Sequence, residues 1–243
     1  MFKLLIPCFG DQSENLPKLL RSIDSQKTEF EVESFFLEDE VSKNFRKDLE
    51  NGLSATGHKF LVENNYGRRL FALFNICRFL DSVNFNNEKE KDVIIGIIDG
   101  DDFLWGNDCI QNVKNEYDKG HGIVWTANEW DKFGLNHSGP YEDTIKDPYS
   151  HPWVSSHFKT FKLSDYKKIP QANFKNKEGK WFEACYDQAL MLPLLHIVLN
   201  SGNSTKYINK SHYIYRGDIK EDSEFREKQL NYESYIRTRG YLK

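Results

Sequence analysis

Val93-Ile94-Ile95-Gly96-Ile97-Ile98 runs directly into Asp99-Gly100-Asp101-Asp102. The first six residues are continuously apolar and mostly β-branched. A strand with one wet face would alternate, so an unbroken run fits a central parallel strand covered on both faces. The flanking sequence agrees. Residues 3–7 form a short apolar run closed by Pro7, residues 30–38 lead into the acidic cluster Glu38-Asp39-Glu40, and residues 59–63 and 123–127 read as two further strands. Between them Leu16, Leu19, Leu20 and Ile23 recur at i, i+3, i+4 and i+7, and Leu70, Leu73, Phe74, Cys77 and Leu80 mark a second helical face. Strands alternating with helices predict βαβ units, hence an α/β domain with a mostly parallel central sheet flanked by helices.

The second half is less regular. Residues 128–152 are rich in Gly, Pro, Asp, Asn and His and read as a long loop, the kind that tends to carry function in a compact domain. A helix is expected from near Asp187, and residues 212–215 alternate briefly. From residue 217 the chain is charged and Tyr-rich, which predicts a terminal helix or tail with weak packing. The expected organisation is one domain over residues 1–216 followed by a charged helix or tail over 217–243.

Composition narrows the function classes. With 243 residues, 39% hydrophobic and 29% charged, the chain is long and apolar enough for a real core and does not read as disordered. Its net charge of −4 argues against sequence-independent nucleic-acid binding, which needs basic surface to displace counterions. Cys8, Cys77, Cys109 and Cys185 are scattered, with no zinc-ligand spacing, and read as reduced intracellular thiols. The opening apolar run is too short for a signal peptide. The longest apolar stretch, residues 189–199, contains Pro193 and His196 and falls short of the roughly 18 residues that span a bilayer. A cytoplasmic protein is expected, with peripheral membrane contact left open.

In open α/β sheets the ligand crevice lies outside the carboxyl ends of the strands. The three carboxylates of Asp99-Gly100-Asp101-Asp102 fall there. Each close like-charge pair costs about 4 kcal/mol at 4 Å and an effective dielectric of 20. A bound divalent cation would relieve this, and all-oxygen ligands favour Mg2+ or Mn2+; an acidic turn solvated by water is the plainer alternative. Asp187 precedes an apolar helix and reads first as a helix cap. A carboxylate fixed at a helix start is also rigidly aimed and suits a general base. Arg68 and Arg69 follow Asn65-Tyr66-Gly67 and read either as surface charge or as a diphosphate clamp. His157 and Lys159 alternate with aromatics, as on a half-buried strand or a site wall.

These segments, in this order, resemble an inverting family 2 glycosyltransferase of the GT-A fold over residues 3–216. Leu4-Leu5-Ile6-Pro7-Cys8-Phe9 is similar to that family's first strand, Leu37-Glu38-Asp39 to its second, and Asn65-Tyr66-Gly67 to the step before its next helix. Asp99-Gly100-Asp101-Asp102 matches its Asp-x-Asp metal motif, and Tyr186-Asp187-Gln188-Ala189-Leu190 lies where it carries Glu-Asp before an apolar helix. His157-Phe158-Lys159-Thr160-Phe161, the stretch after Asp187 and Tyr213-Ile214-Tyr215-Arg216 look most like a bacterial subgroup that builds polysaccharide or lipopolysaccharide. Gly10 in place of Asn and Tyr186 in place of Glu are departures.

The resemblance implies transfer from a UDP-, GDP- or dTDP-sugar to a glycan or glycolipid hydroxyl. It implies donor contacts from Pro7, Phe9, Glu38, Asp39, Asn65, Arg68, Arg69, Asp99 and Gly100. Mn2+ or Mg2+ would sit on Asp101 with Asp99, and Asp187 would be the base. Trp153, His157 and Trp181 are expected on the acceptor side. Two other classes compete: a haloacid-dehalogenase-type phosphatase, which places Asp-x-Asp near the start of its core, and a non-catalytic glycan-binding protein of the same fold.

Overall fold

Ile94–Ile97 is a strand with every residue buried, the fourth in the chain (β4). The structure, a computed structural model, describes residues 1–55, 60–65, 69–82, 93–142, 144–216 and 223–243. Before β4 come β1 (Phe2–Phe9), α1 (Leu16–Asp24), β2 (Val32–Asp39), α2 (Lys43–Ala55), β3 (Phe60–Asn65) and α3 (Phe71–Ser82). After it come β5 (Phe103–Leu104), α4 (Cys109–Asp118), β6 (Ile123–Trp130), β7 (Lys159–Lys162), α5 (Leu163–Tyr166), a 3-10 turn (Gln171–Phe174), α6 (Tyr186–Asn200), β8 (Thr205–Tyr215) and α7 (Ser223–Arg239).

Among the described residues these strands form one sheet in the order β3-β2-β1-β4-β7-β6-β8-β5. The half from β3 to β4 is parallel throughout. β7 then runs antiparallel to both β4 and β6, and β6 is parallel to β8 with its register slipping around Ala127. β4 therefore lies at the seam between a parallel half and a mixed half.

The expectation of two covered faces holds. Successive strand residues point to opposite sides. Leu5, Phe35, Leu37, Ile95 and Ile97 pack with α3 and α6, whereas Leu4, Ile6, Phe36 and Ile94 pack with α1, α2 and α4. α6 is buried over most of its length, Pro193 included, and runs through the first of these cores. Gly96 has a steric reason: a Cβ there would sit 2.6 Å from the Phe158 ring and 3.0 Å from that of Phe2.

Several boundaries differ from the sequence reading. β6 extends to Trp130 and takes the start of the expected loop, and β8 is far longer than the alternating segment at 212–215. β5, only two residues long, carries no periodic signal. β3 reaches Asn65, and Lys59 lies outside the described residues. The terminal helix is not weakly packed. Ile236 is fully buried. Arg237 donates to Gln188 Oε1 at 2.9 Å and to the carbonyls of Tyr149 and His151 at 3.1 and 2.9 Å. Arg239 donates to the carbonyls of Lys175 and Asn173 at 2.7 and 2.9 Å. Charged tips thus share the anchoring with Ile236 and with Tyr232 and Tyr235, whose rings meet Phe182. Among the described residues no helix is long and apolar enough to cross a membrane.

Gly96→Ala should lower stability by about 1–3 kcal/mol, the usual cost of overpacking a tight core. A urea denaturation midpoint measures this; an unchanged midpoint would mean that Phe158 yields freely.

Candidate active site

The carboxyl ends of β1, β2 and β4 open onto a cleft of about 400 Å³. One wall is built from Pro7 and Phe9, Asp39, the entry to α3 and the turn after β4; the other comes from His157, Lys159, residues 183–187, Tyr215, Phe225 and Gln229. The floor is tight at Gly100, whose N–H donates to Pro7 O at 3.1 Å. A Cβ on Gly100 would meet that same oxygen at 2.9 Å and Gln12 Oε1 at 2.5 Å.

Asp39 is committed to the backbone at the start of α3. Its Oδ1 accepts from the Leu70 N–H at 2.9 Å and its Oδ2 from the Phe71 N–H at 2.6 Å, which satisfies donors that a helix start leaves open. Phe71 sits in the left-handed region at φ 64°. The Arg69 guanidinium lies over the rings of Phe9 and Phe71, 3.7 and 4.4 Å from their centroids, a flat cation–aromatic wall. Glu38, one residue earlier on the strand, faces the other way. It is 1% exposed and ion-paired with Arg46 at 2.8 Å.

The turn after β4 holds its acids by different means. The Asp99 carboxylate accepts from the Tyr186 hydroxyl, with Lys159 Nζ and His157 Nδ1 each 3.8 Å away. Asp102 is 1% exposed and accepts from the Tyr213 hydroxyl at 2.7 Å and the Arg216 N–H at 2.8 Å. The same Tyr213 oxygen accepts from the Asp99 N–H at 3.0 Å. Burial, reinforced by Asp101 and Asp99, pushes the Asp102 carboxyl well above the usual carboxylate range. Asp101 lines the cleft.

His157 stacks on Tyr213 and Tyr215, centroids 4.8 and 5.1 Å away. Burial first, then Lys159, pulls its imidazole well below the ordinary histidine range, so the ring is neutral. Lys159 Nζ, which can only donate, is 3.2 Å from Nδ1; the ring proton is therefore on Nε2. Lys159 is itself 1% exposed and also donates to the Tyr186 hydroxyl at 3.2 Å. Asp187 stands in the first turn of α6, after Cys185 at φ 59°. Burial raises its carboxyl, partly offset by Lys159.

Among the described residues, Asp99, Asp102 and His157 offer ligand atoms that all lie within 4.8 Å of one another. Two carboxylates and a neutral imidazole are donor types that suit a divalent cation, which would have to displace the Lys159 ammonium from Nδ1.

The cleft gathers Pro7, Phe9, Asp39, Arg69, Asp99, Gly100, Asp101, His157 and Asp187 from the residues the sequence singled out. Glu38 lies outside it. Trp181 stacks on Phe174 and meets Phe74 edge-on, and Trp153 packs against the same core; neither is on the cleft wall. Arg68 and the side chain of Asn65 fall outside the described residues. Sequence reasoning gave no role to the hydroxyls of Tyr186 and Tyr213 or to Asn75. The spacing of Tyr213 and Tyr215 puts both on one face of a strand, a signal that was there to be used.

By sequence, no family model and no curated protein matches this chain. Solved structures do match. TarS from S. aureus is 12% identical with a TM-score of 0.65, over 100% of this chain and 40% of that one. TarS 1-349 in complex with UDP-GlcNAc is 12% identical with a TM-score of 0.63, over 100% of this chain and 68% of that one. The mannosyltransferase PcManGT from Pyrobaculum calidifontis, in complex with GDP-Man and Mn2+, is 10% identical with a TM-score of 0.57, over 97% and 62%. The fold is the GT-A fold. This chain spans less than half the length of the longest of these TarS structures. In the GT-A arrangement four parallel strands precede Asp99-Gly100-Asp101 in the chain, whereas a haloacid-dehalogenase-type phosphatase needs that motif near the start of its core.

Asp39→Ala strands two backbone donors at the start of α3 and should cost about 1–3 kcal/mol. Asp39→Asn, which keeps one acceptor oxygen, should recover part of that in the same denaturation experiment.

Proposed function

We propose that the chain is a glycosyltransferase that moves a sugar from a nucleoside-diphosphate sugar to a hydroxyl acceptor with inversion at the anomeric carbon. The observation that carries this reading is a single cleft, in a GT-A fold, lined both by Asp187 and by Asp99 and His157 of the carboxylate–imidazole cluster.

The donor would lie along the β1–β2–β4 wall, against Pro7, Phe9, Asp39, Arg69, Asp99 and Gly100. Asp187 would take the proton from the acceptor hydroxyl as its oxygen attacks the anomeric carbon and the bond to the diphosphate breaks on the opposite face. The raised carboxyl of Asp187 suits this task, because a base holds a proton better as its pKa approaches the working pH. One base and no covalent intermediate suffice for inversion. Asp99, Asp102 and His157, with Asp101 beside them, would hold a divalent cation, and the imidazole in the set favours Mn2+ over Mg2+. When bound, such a cation neutralises charge growing on the departing diphosphate. Tyr186 and Lys159 keep Asp99 oriented, and Tyr213 does the same for Asp102.

UDP-GlcNAc and GDP-Man are bound by the structural neighbours, which supports a nucleotide sugar as the donor here. The acceptor would be a glycan or glycolipid in surface-polysaccharide assembly on the cytoplasmic side, with no nucleic acid involved. Residues 1–216 would form the catalytic domain, with Phe225 and Gln229 of α7 completing its wall.

Asp187→Asn should leave donor binding intact in calorimetry and slow transfer by about 10²-fold or more, the size of a lost general base. Transfer needs Asp187 unprotonated and its carboxyl is raised, so activity should be present above that raised value and fall as pH drops through it. The acidic limb of the pH–rate profile should therefore lie above the ordinary Asp value of about 3.9. A limb at or below that value would exclude Asp187. Asp101→Ala should abolish the gain in nucleoside-diphosphate affinity that Mn2+ gives the wild type; titrations that do not change with EDTA would count against the metal site.

A further inference from the structure

Asn75 lies on α3, and only 2% of its surface is exposed. Both Oδ1 and Nδ2 are buried without a hydrogen-bond partner. Its neighbours along the helix, Leu73, Ile76 and Cys77, are fully buried core residues. A buried amide left unpaired is costly, and an apolar residue of similar shape would be neutral or stabilising there. Stability therefore gives no reason for an asparagine at this position. The cleft does, because Asn75 lines it, next to Ala72 and on the wall that carries Asp39 and the Phe9–Arg69–Phe71 stack.

We propose that Asn75 is a donor-binding residue whose carboxamide forms paired hydrogen bonds with an edge that presents a donor beside an acceptor. The identity of the ligand, a nucleoside-diphosphate sugar, rests on the glycosyl-transfer reading; the unpaired amide does not. A carboxamide offers one acceptor oxygen and two N–H donors side by side. Two parts of a nucleotide sugar match it: the pairing edge of the base and the neighbouring hydroxyls of a sugar ring. Both are hydrogen-bonding edges that would enter the cleft and satisfy Oδ1 and Nδ2 together.

The test uses the full chain with Mn2+ and six probes, UDP, UDP-GlcNAc, GDP, GDP-mannose, dTDP and dTDP-glucose, titrated into wild type, Asn75→Leu and Asn75→Ala. Asn75→Leu removes both polar atoms at similar volume, and Asn75→Ala removes them without adding bulk. Affinity for the probe that wild type binds should fall by about tenfold or more in both variants, the size of a lost pair of buried hydrogen bonds. The urea midpoint of Asn75→Leu should stay level or rise. A merely structural asparagine would lose stability instead, so the opposite signs are the signature. A loss already present with the nucleoside diphosphate assigns the base or its ribose; a loss confined to the nucleotide sugar assigns the transferred sugar. Wild-type affinity retained in both variants overturns the inference alone. Failure of the wild type to bind any of the six overturns the glycosyl-transfer reading and this inference with it.

Discussion

Mutual repulsion among Asp99, Asp101 and Asp102 is the constraint around which the rest of the site is arranged. Carboxylates this close within one turn are held together only if something positive or proton-donating faces them. Here the compensation comes from the second half of the chain: the Lys159 ammonium, the Tyr186 and Tyr213 hydroxyls and the Arg216 N–H. The parallel half of the sheet supplies the acids and the mixed half supplies what tolerates them.

That division explains why β4 is the seam. β7 pairs with it antiparallel and sets Lys159 opposite Ile97, two residues before Asp99. β8 returns beside β6 and brings Tyr213 against Leu104, two residues after Asp102. Neither compensating group is near the acids in sequence. Tyr213 is the tightest link, since one oxygen accepts from the backbone of Asp99 and donates to the side chain of Asp102. A shift of either acid is felt by the other through a single hydroxyl.

The parallel half of the fold was legible because each strand there is an apolar run and α1 and α3 carry clean apolar faces; α2, which buries only Phe45 and Leu49, offers no such face. Asp39, Asp99, Asp101 and Asp187 were legible because strand ends and helix starts are where such folds concentrate chemistry. Lys159 as a counter-ion was not, because a buried ammonium depends on a pairing across the sheet that local pattern does not encode. Glu38 was misplaced for a readable reason: adjacent strand residues cannot both face one cleft, and Asp39 took that side. Trp153 and Trp181 went to the core because large aromatics fill volume wherever a sheet and helices leave it. The anchoring of α7 escaped notice because much of its grip on the body runs through guanidinium–carbonyl bonds and tyrosine rings, which a hydropathy pattern scores as solvent-facing.

The last of these features bears on where the working unit ends. Among the described residues every strand is complete by Tyr215, so a chain shortened there would keep that sheet. It would also lose Phe225 and Gln229 from the cavity lining, and with Arg237 the clasp on the carbonyls of Tyr149 and His151. The lining of the cleft therefore extends past the last described β-segment.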